Sequence, residues 1–144
     1  MELLVKKGIG DLRFGMIRTT VESLLGNPDR KYTDEDKNQI WLYNRQKLAL
    51  TFYEDEAFRL GYVVSSSIAT TVSGIPVIGK SAADLIHELP QKQFRAWESE
   101  WEEGIQNHFN EDNWLMLVEE FGVIVKVELG AVIERDEFVW AAKL

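Results

Sequence analysis

The sequence predicts an α+β fold made of two diverged copies of one unit, each a short helix followed by a three-stranded antiparallel meander, packed as one compact domain. Three observations predict it: an apolar helix pattern closed by glycine and proline, three strand-like segments behind it, and a recurrence of that order in the second half. A chain of 144 residues with 45% hydrophobic and 11% aromatic residues has the length and apolar content for a packed interior.

The first landmark is Phe14-Gly15-Met16, followed by Val21, Leu24, Leu25, Gly26 and Pro28. Thr19 or Thr20 can cap a short helix whose apolar positions 21, 24 and 25 face inward, with Gly26 closing it and Pro28 preventing continuation. The polar run from Asp29 to Asn38 reads as a loop. Ile40–Tyr43, Leu48–Tyr53 and Phe58–Val64 then read as strands, separated by the turn-like segments Asn44–Lys47 and Glu54–Ala57.

In the second half, Ile78-Gly79, Leu85 and Leu89 follow Phe14-Gly15, Val21 and Leu25 at a constant offset of 64. Trp114-Leu115 then takes the part of Trp41-Leu42, with Gly122–Val127 and Glu137–Ala141 as the next two strands. The predicted units are 1–66 and 67–144, joined through the small residues of Ser65–Gly74, where Ser67–Val77 could add a strand. The offset grows to 73 at the tryptophans, so the second unit carries an insertion at 91–113. There Phe94, Trp97 and Trp101 fall at i, i+3 and i+7, which predicts one face of a helix ended by Gly104. Two readings of that helix are open. Either its aromatic face packs on the sheet and the glutamates are solvated, or one aromatic stays exposed within an acidic rim.

Net charge is −8, and its placement is more informative than its size. From Ala96 to Val125 the chain holds Glu98, Glu100, Glu102, Glu103, Glu111, Asp112, Glu119 and Glu120 without one Lys or Arg, while the rest of the chain is balanced. Such a field repels nucleic acid and anionic membranes and attracts basic surfaces. No apolar run reaches the roughly 18–20 residues of a membrane span, and Met1–Ile9 lacks the features of a signal peptide. With no cysteine there is no disulfide framework, thiolate metal site or thiol nucleophile, and a reducing, cytoplasmic setting is expected.

Catalytic signatures are missing. No phosphate loop, dinucleotide fingerprint or Gly-x-Ser-x-Gly elbow occurs, and Gly8-x-Gly10 lacks a third glycine. Ser65, Ser66 and Ser67 have no base nearby in sequence. His108 with Glu111 and Asp112 falls short of a recognised zinc spacing and reads as a solvated loop, and His87 points partly outward from the second helix. Asp34 to Arg45 fails as a calcium loop, with Gln39 where glycine is needed and Arg45 where a bidentate glutamate is needed. The expectation is a protein that is not an enzyme and needs no metal or cofactor.

Phe14-Gly15-Met16, Val21, Leu24-Leu25-Gly26, Pro28 and Trp41-Leu42-Tyr43 resemble the signature of the SmpA/OmlA (BamE) outer-membrane assembly proteins. A similar unit used twice in one chain occurs in β-lactamase inhibitor proteins. Both act by protein–protein contact, so the resemblance implies a binder, although the lipidated cysteine of the one and the disulfides of the other are missing. The acidic, compact character is also similar to that of bacterial toxin-immunity proteins. The expected function is therefore an immunity protein that occludes a basic toxin domain, such as a nuclease. The alternative is a small-ligand-binding or assembly/adaptor protein without catalytic activity. The partner-binding residues expected are Glu98, Trp101, Glu102, Glu103, Glu111 and Asp112, with Asp34, Glu35 and Asp36 in the corresponding loop of the first unit. No nucleic acid or membrane partner is expected.

Overall fold

The computed structural model describes residues 1–142. Three short strands open the chain, β1 (Glu2–Leu4), β2 (Gly8–Ile9) and β3 (Leu12–Arg13), followed by helix α1 (Arg18–Leu25). A four-stranded meander comes next: β4 (Arg30–Thr33), β5 (Gln39–Tyr43), β6 (Leu48–Tyr53) and β7 (Arg59–Ser65). The second half runs through β8 (Thr71–Val72), β9 (Ile75–Pro76) and helix α2 (Ala82–Glu88). It continues into a second four-stranded meander: β10 (Trp97–Glu102), β11 (Ile105–Asn110), β12 (Leu115–Glu120) and β13 (Val123–Gly130). The hairpin β14 (Ile133–Glu134) and β15 (Glu137–Phe138) follows.

Eight strands form one antiparallel sheet in the order β10-β11-β12-β13-β7-β6-β5-β4. The two meanders meet at β13 and β7, which pair over Val127–Gly130 and Tyr62–Ser65. A smaller sheet, β3-β2-β1-β8-β9, joins the chain's start to its middle through the parallel pairing of Leu3 with Val72.

The expected α+β class of helix plus three-stranded meander is corrected on three counts. The fold is mostly β, with 44% of residues in strands and, among the described residues, two α-helices of eight and seven residues. Each meander has four strands, because the polar stretch Arg30–Thr33 pairs with β5 as an exposed edge instead of looping. The 91–113 segment is no helix. Its aromatics and glutamates alternate as Trp97-Glu98-Ser99-Glu100-Trp101-Glu102, a period of two that outweighs the sparse helical spacing. Trp114 also loses its expected part, since it lies in the turn before β12 with φ 51°, and Glu137-Phe138 belongs to the separate hairpin.

The helices and the small sheet cover one face of the large sheet. From that face Trp41, Leu50, Phe52, Val63, Leu117, Val127 and Leu129 meet Val21, Leu85, Leu3, Ile9 and Phe14 in a single core. Helix α1 has Ile17 at its N-cap and no side-chain cap, so Thr19 and Thr20 lie inside its first turn. In α2 the Ser81 hydroxyl accepts the Asp84 N–H at 3.1 Å, which is the usual capping bond.

Tyr43 ties β5 to the end of α1 by donating its hydroxyl to the Gly26 carbonyl at 2.9 Å. Burial, helped by the Glu22 charge, pushes its ionisation up to about 12. Burial also raises Tyr53, and burial together with the bond to Glu128 raises Tyr62. Such raised values stabilise the fold fully below the ordinary value near 10, and that contribution is lost as pH climbs through the folded-state values. An ultraviolet titration is therefore expected to show part of the tyrosine signal delayed beyond pH ~10 and released together with unfolding. Free titration of all four tyrosines near their ordinary value with the fold intact would contradict it.

Candidate protein-binding site

The acidic segment folds into two neighbouring hairpins at one edge of the large sheet. Each turns on two residues with positive φ, Glu103-Gly104 (47° and 85°) and Phe121-Gly122 (51° and 83°), the backbone that two-residue hairpins require. Because the four strands alternate in direction, both turns project from the same end of the sheet.

The pleat sorts the side chains of β10. Trp97, Ser99 and Trp101 point to the helix-covered face, where their row partners include the buried Leu129, Val127 and Ile124. Glu98, Glu100 and Glu102 point to the other face, which carries no helix. There Glu98 heads a row through Phe109, Met116, Glu128, Val64, Ala49 and Leu42 to Arg30. A groove of about 530 Å³ lies on this face, between Glu102, Glu103 and Glu120 at one end and Lys126 and Glu128 at the other. Between them lie Ile105, Met116 and Val118 beside the polar Asn107. Glu128 accepts the Tyr62 hydroxyl at 2.6 Å and stands 3.8 Å from the Lys126 ammonium.

Two aromatics of these hairpins are left in solvent. Trp101 is 71% exposed and Phe121 is completely exposed at its turn. Phe121 is unfavourable there twice over, as a bulky residue at positive φ and as an apolar side chain without a neighbour. Sequence reasoning missed it. The signal was the step Glu120-Phe121-Gly122-Val123, a glycine-containing pair between two strand-like runs.

The expected site residues do not all converge. Glu98, Trp101, Glu102 and Glu103 share the β10 edge and its turn, although Trp101 faces away from the glutamates. Glu111 and Asp112 form a single 3-10 turn at the other end of β11, a strand length of roughly 20 Å away. Asp34, Glu35 and Asp36 lie in the loop after β4, at the opposite edge of the eight-stranded sheet. There the Asp34 carboxylate accepts the N–H groups of Asp36 at 3.0 Å and Asn38 at 2.8 Å, which shapes the loop.

His108 is corrected as well. It sits in β11 with 7% of its surface exposed, and no solvated loop holds it. Its Nδ1 is 2.7 Å from the Ser99 hydroxyl, and its Nε2, which has no hydrogen-bond partner among the described residues, is 3.7 Å from the Glu119 carboxylate. Glu119 in turn accepts the Ala82 N–H at the start of α2 at 3.3 Å. These three side chains point to the helix-covered side of the sheet and do not share the groove. Among the described residues, no three His, Asp or Glu side chains gather as a metal site.

The arrangement defines a β-sheet protein with an acidic, aromatic-bearing free edge. No family model matches the chain, and no curated protein sequence matches it. Its structure is similar to that of an extracellular protein containing a SCP domain from Bacillus anthracis, with a TM-score of 0.57 and 14% identity over 91% of this chain and 50% of that one. It is also similar to a cysteine-rich secretory protein from Staphylococcus aureus, with a TM-score of 0.55 and 16% identity over 88% of this chain and 47% of that one. The chain thus spans about half the length of each, and at these identities the likeness concerns the fold alone.

These neighbours overturn the resemblance to BamE-like and β-lactamase-inhibitor units and the similarity to toxin-immunity proteins, none of which they are. Glycine, leucine and proline around a short helix serve its start and stop in any fold, so that motif carried little specificity. The description of the chain as a tandem-repeat immunity protein falls with them. The cytoplasmic setting is not retained either, since one neighbour is extracellular and the other secretory. A cysteine-free composition is compatible with any compartment.

Proposed function

We propose that this chain is a non-catalytic binding module that takes a basic protein surface onto the β10–β13 edge of its large sheet. The observation that carries the reading is the pairing of exposed Trp101 and Phe121 with Glu98, Glu100, Glu102, Glu103 and Glu120 on two adjacent hairpins. An aromatic anchor amid charge is a recurrent interface centre, and the carboxylates would steer a cationic partner to it. Guanidinium and ammonium groups would stack on the exposed rings, and the glutamates, which lie on the other face of β10 from Trp101, would pair with basic side chains that wrap the edge.

The test is capture from the source cells with wild-type protein and with the Glu102→Lys/Glu103→Lys variant as baits, eluted by rising salt. The reversed variant is expected to lose at least about tenfold of a basic partner's retention. Its melting temperature should stay within about 2 °C, because both side chains are exposed. Equal retention of every basic protein by the two baits would move the interface elsewhere.

The groove on the helix-free face favours a second reading. Its roughly 530 Å³ falls in the size range of small-ligand sites. Thermal shifts with small molecules that vanish in Met116→Lys, without any protein partner, would favour that reading over the first.

A further inference from the structure

The two free edges of the large sheet are complementary to each other. The β10 edge is acidic, and the β4 edge opens Arg30-Lys31-Tyr32-Thr33, exposed along its length. Edge strands are open templates for pairing, and charges usually keep them apart. Here the charges have opposite signs, so β10 against β10 sets glutamates face to face and β4 against β4 sets Arg30 and Lys31 together. Only β4 against β10 is attractive.

Direction and hydrogen-bond phase agree with that pairing. Eight alternating strands leave β4 running opposite to β10, so a second copy continuing the sheet in the same orientation meets it antiparallel. In the two-residue hairpin at Glu103-Gly104, Glu102 and Ile105 exchange hydrogen bonds, and Glu100 and Glu98 follow in phase. The backbone groups of Trp97, Ser99 and Trp101 therefore point outward. On the other edge, the Asp34 N–H bonds the Asn38 carbonyl at 3.0 Å, which places Tyr32 in the bonded set and turns the backbone of Lys31 and Thr33 outward. In both strands the outward-bonding residues carry their side chains on the helix-covered face. Lys31 lies over the Trp41 ring on that face, 4.5 Å from its centre, and Arg30 shares the helix-free face with Glu98.

We propose that copies of this chain associate head to tail, β4 of one adding to β10 of the next in an antiparallel extension of the sheet. The register that satisfies charge and phase sets Arg30 opposite Glu102, Lys31 opposite Trp101, Tyr32 opposite Glu100 and Thr33 opposite Ser99. Such a contact is heterologous, so it grows past the dimer unless its rotation closes a ring. The inference rests on β10 being an attractive edge, as the proposed function does, with a second copy as the occupant.

Sedimentation velocity of the purified chain over a wide concentration range, at low and at high salt, tests it. The expected result is a mass that grows with concentration beyond the dimer at low salt and falls back toward the monomer at high salt. Arg30→Glu/Lys31→Glu is expected to weaken this association at least about tenfold, and Glu100→Lys/Glu102→Lys to do the same. Mixing the two monomeric variants should restore it, because each then offers an edge of the sign the other needs, and the recovery also shows that both are folded. A wild-type chain that stays monomeric at low salt overturns the proposal, as does association that Arg30→Glu/Lys31→Glu leaves unchanged. Because that variant keeps the acidic hairpins intact, its capture of a foreign basic partner reports separately on the proposed function.

Discussion

Replacing Trp41 by alanine is expected to lower the stability of the fold by about 3–5 kcal/mol, the range for a large aromatic removed from a packed core. Trp41 lies on β5 with 2% of its surface exposed, its ring tilted against Phe52 with centroids 4.8 Å apart. Its indole N–H donates to the Gln39 side chain at 3.0 Å, and Gln39 also accepts from Arg18 of helix α1 at 2.9 Å. Lys31 covers the ring from the edge strand. Truncation therefore leaves a cavity and also frees the links from β5 to α1 and β4. Denaturant unfolding measures the loss, and a cost below about 1 kcal/mol would mean that the core collapses around the gap.

The second large effect is expected at Gly130, on the central strand β13. A Cβ there would run into the Trp114 ring, overlapping its Cδ1 and standing 2.7 Å from its Nε1. Trp114 in turn packs edge-on against Phe109, 5.3 Å away at 83°. Gly130→Val must push the indole off the strand and break that contact, at a cost of roughly 3 kcal/mol. Combining it with Trp114→Ala should cost clearly less than the sum of the two single changes, since the alanine removes the obstacle. Strict additivity would show that the valine acts through something other than the indole. Gly61 lies under the Tyr53 ring in the same way on β7, the other strand of the central pair.

The parts of this fold that were legible in the sequence are those where pattern and packing agree. Ile40–Tyr43, Leu48–Tyr53 and Phe58–Val64 read as strands because their apolar residues alternate into one core, and the structure places β6 on the same residues and β5 and β7 within one residue of the expected bounds. The acidic segment misled because Phe94, Trp97 and Trp101 match a helical spacing that a strand of large residues also produces by chance. The decisive pattern was the alternation of Trp and Glu from 97 to 102, joined to Gly104 as a hairpin turn instead of a helix stop. Strand β4 was invisible for a different reason. An edge strand with all four residues exposed has no apolar face to betray it. Of the candidate site, the location of the charge was legible. The separation of Glu98 and Glu102 from Glu111 and Asp112 by the length of β11 was not, because neighbours in sequence part company as soon as a strand extends between them. Phe121 was hidden by its place in a turn, where side-chain type says little about burial.

The joint between the two meanders has a kinetic consequence. Every other pairing in the large sheet links strands that follow each other directly in the chain, so each hairpin can close early over a short loop. The β7–β13 pairing brings Tyr62 to Gly130 across almost half the molecule, and it spans only four residue pairs. Closing that distance carries most of the loop entropy of the large sheet, for few hydrogen bonds in return. The sheet is thus expected to assemble as two quickly formed halves that wait for a slow, late union at its centre, and under mechanical load to part first along that same line.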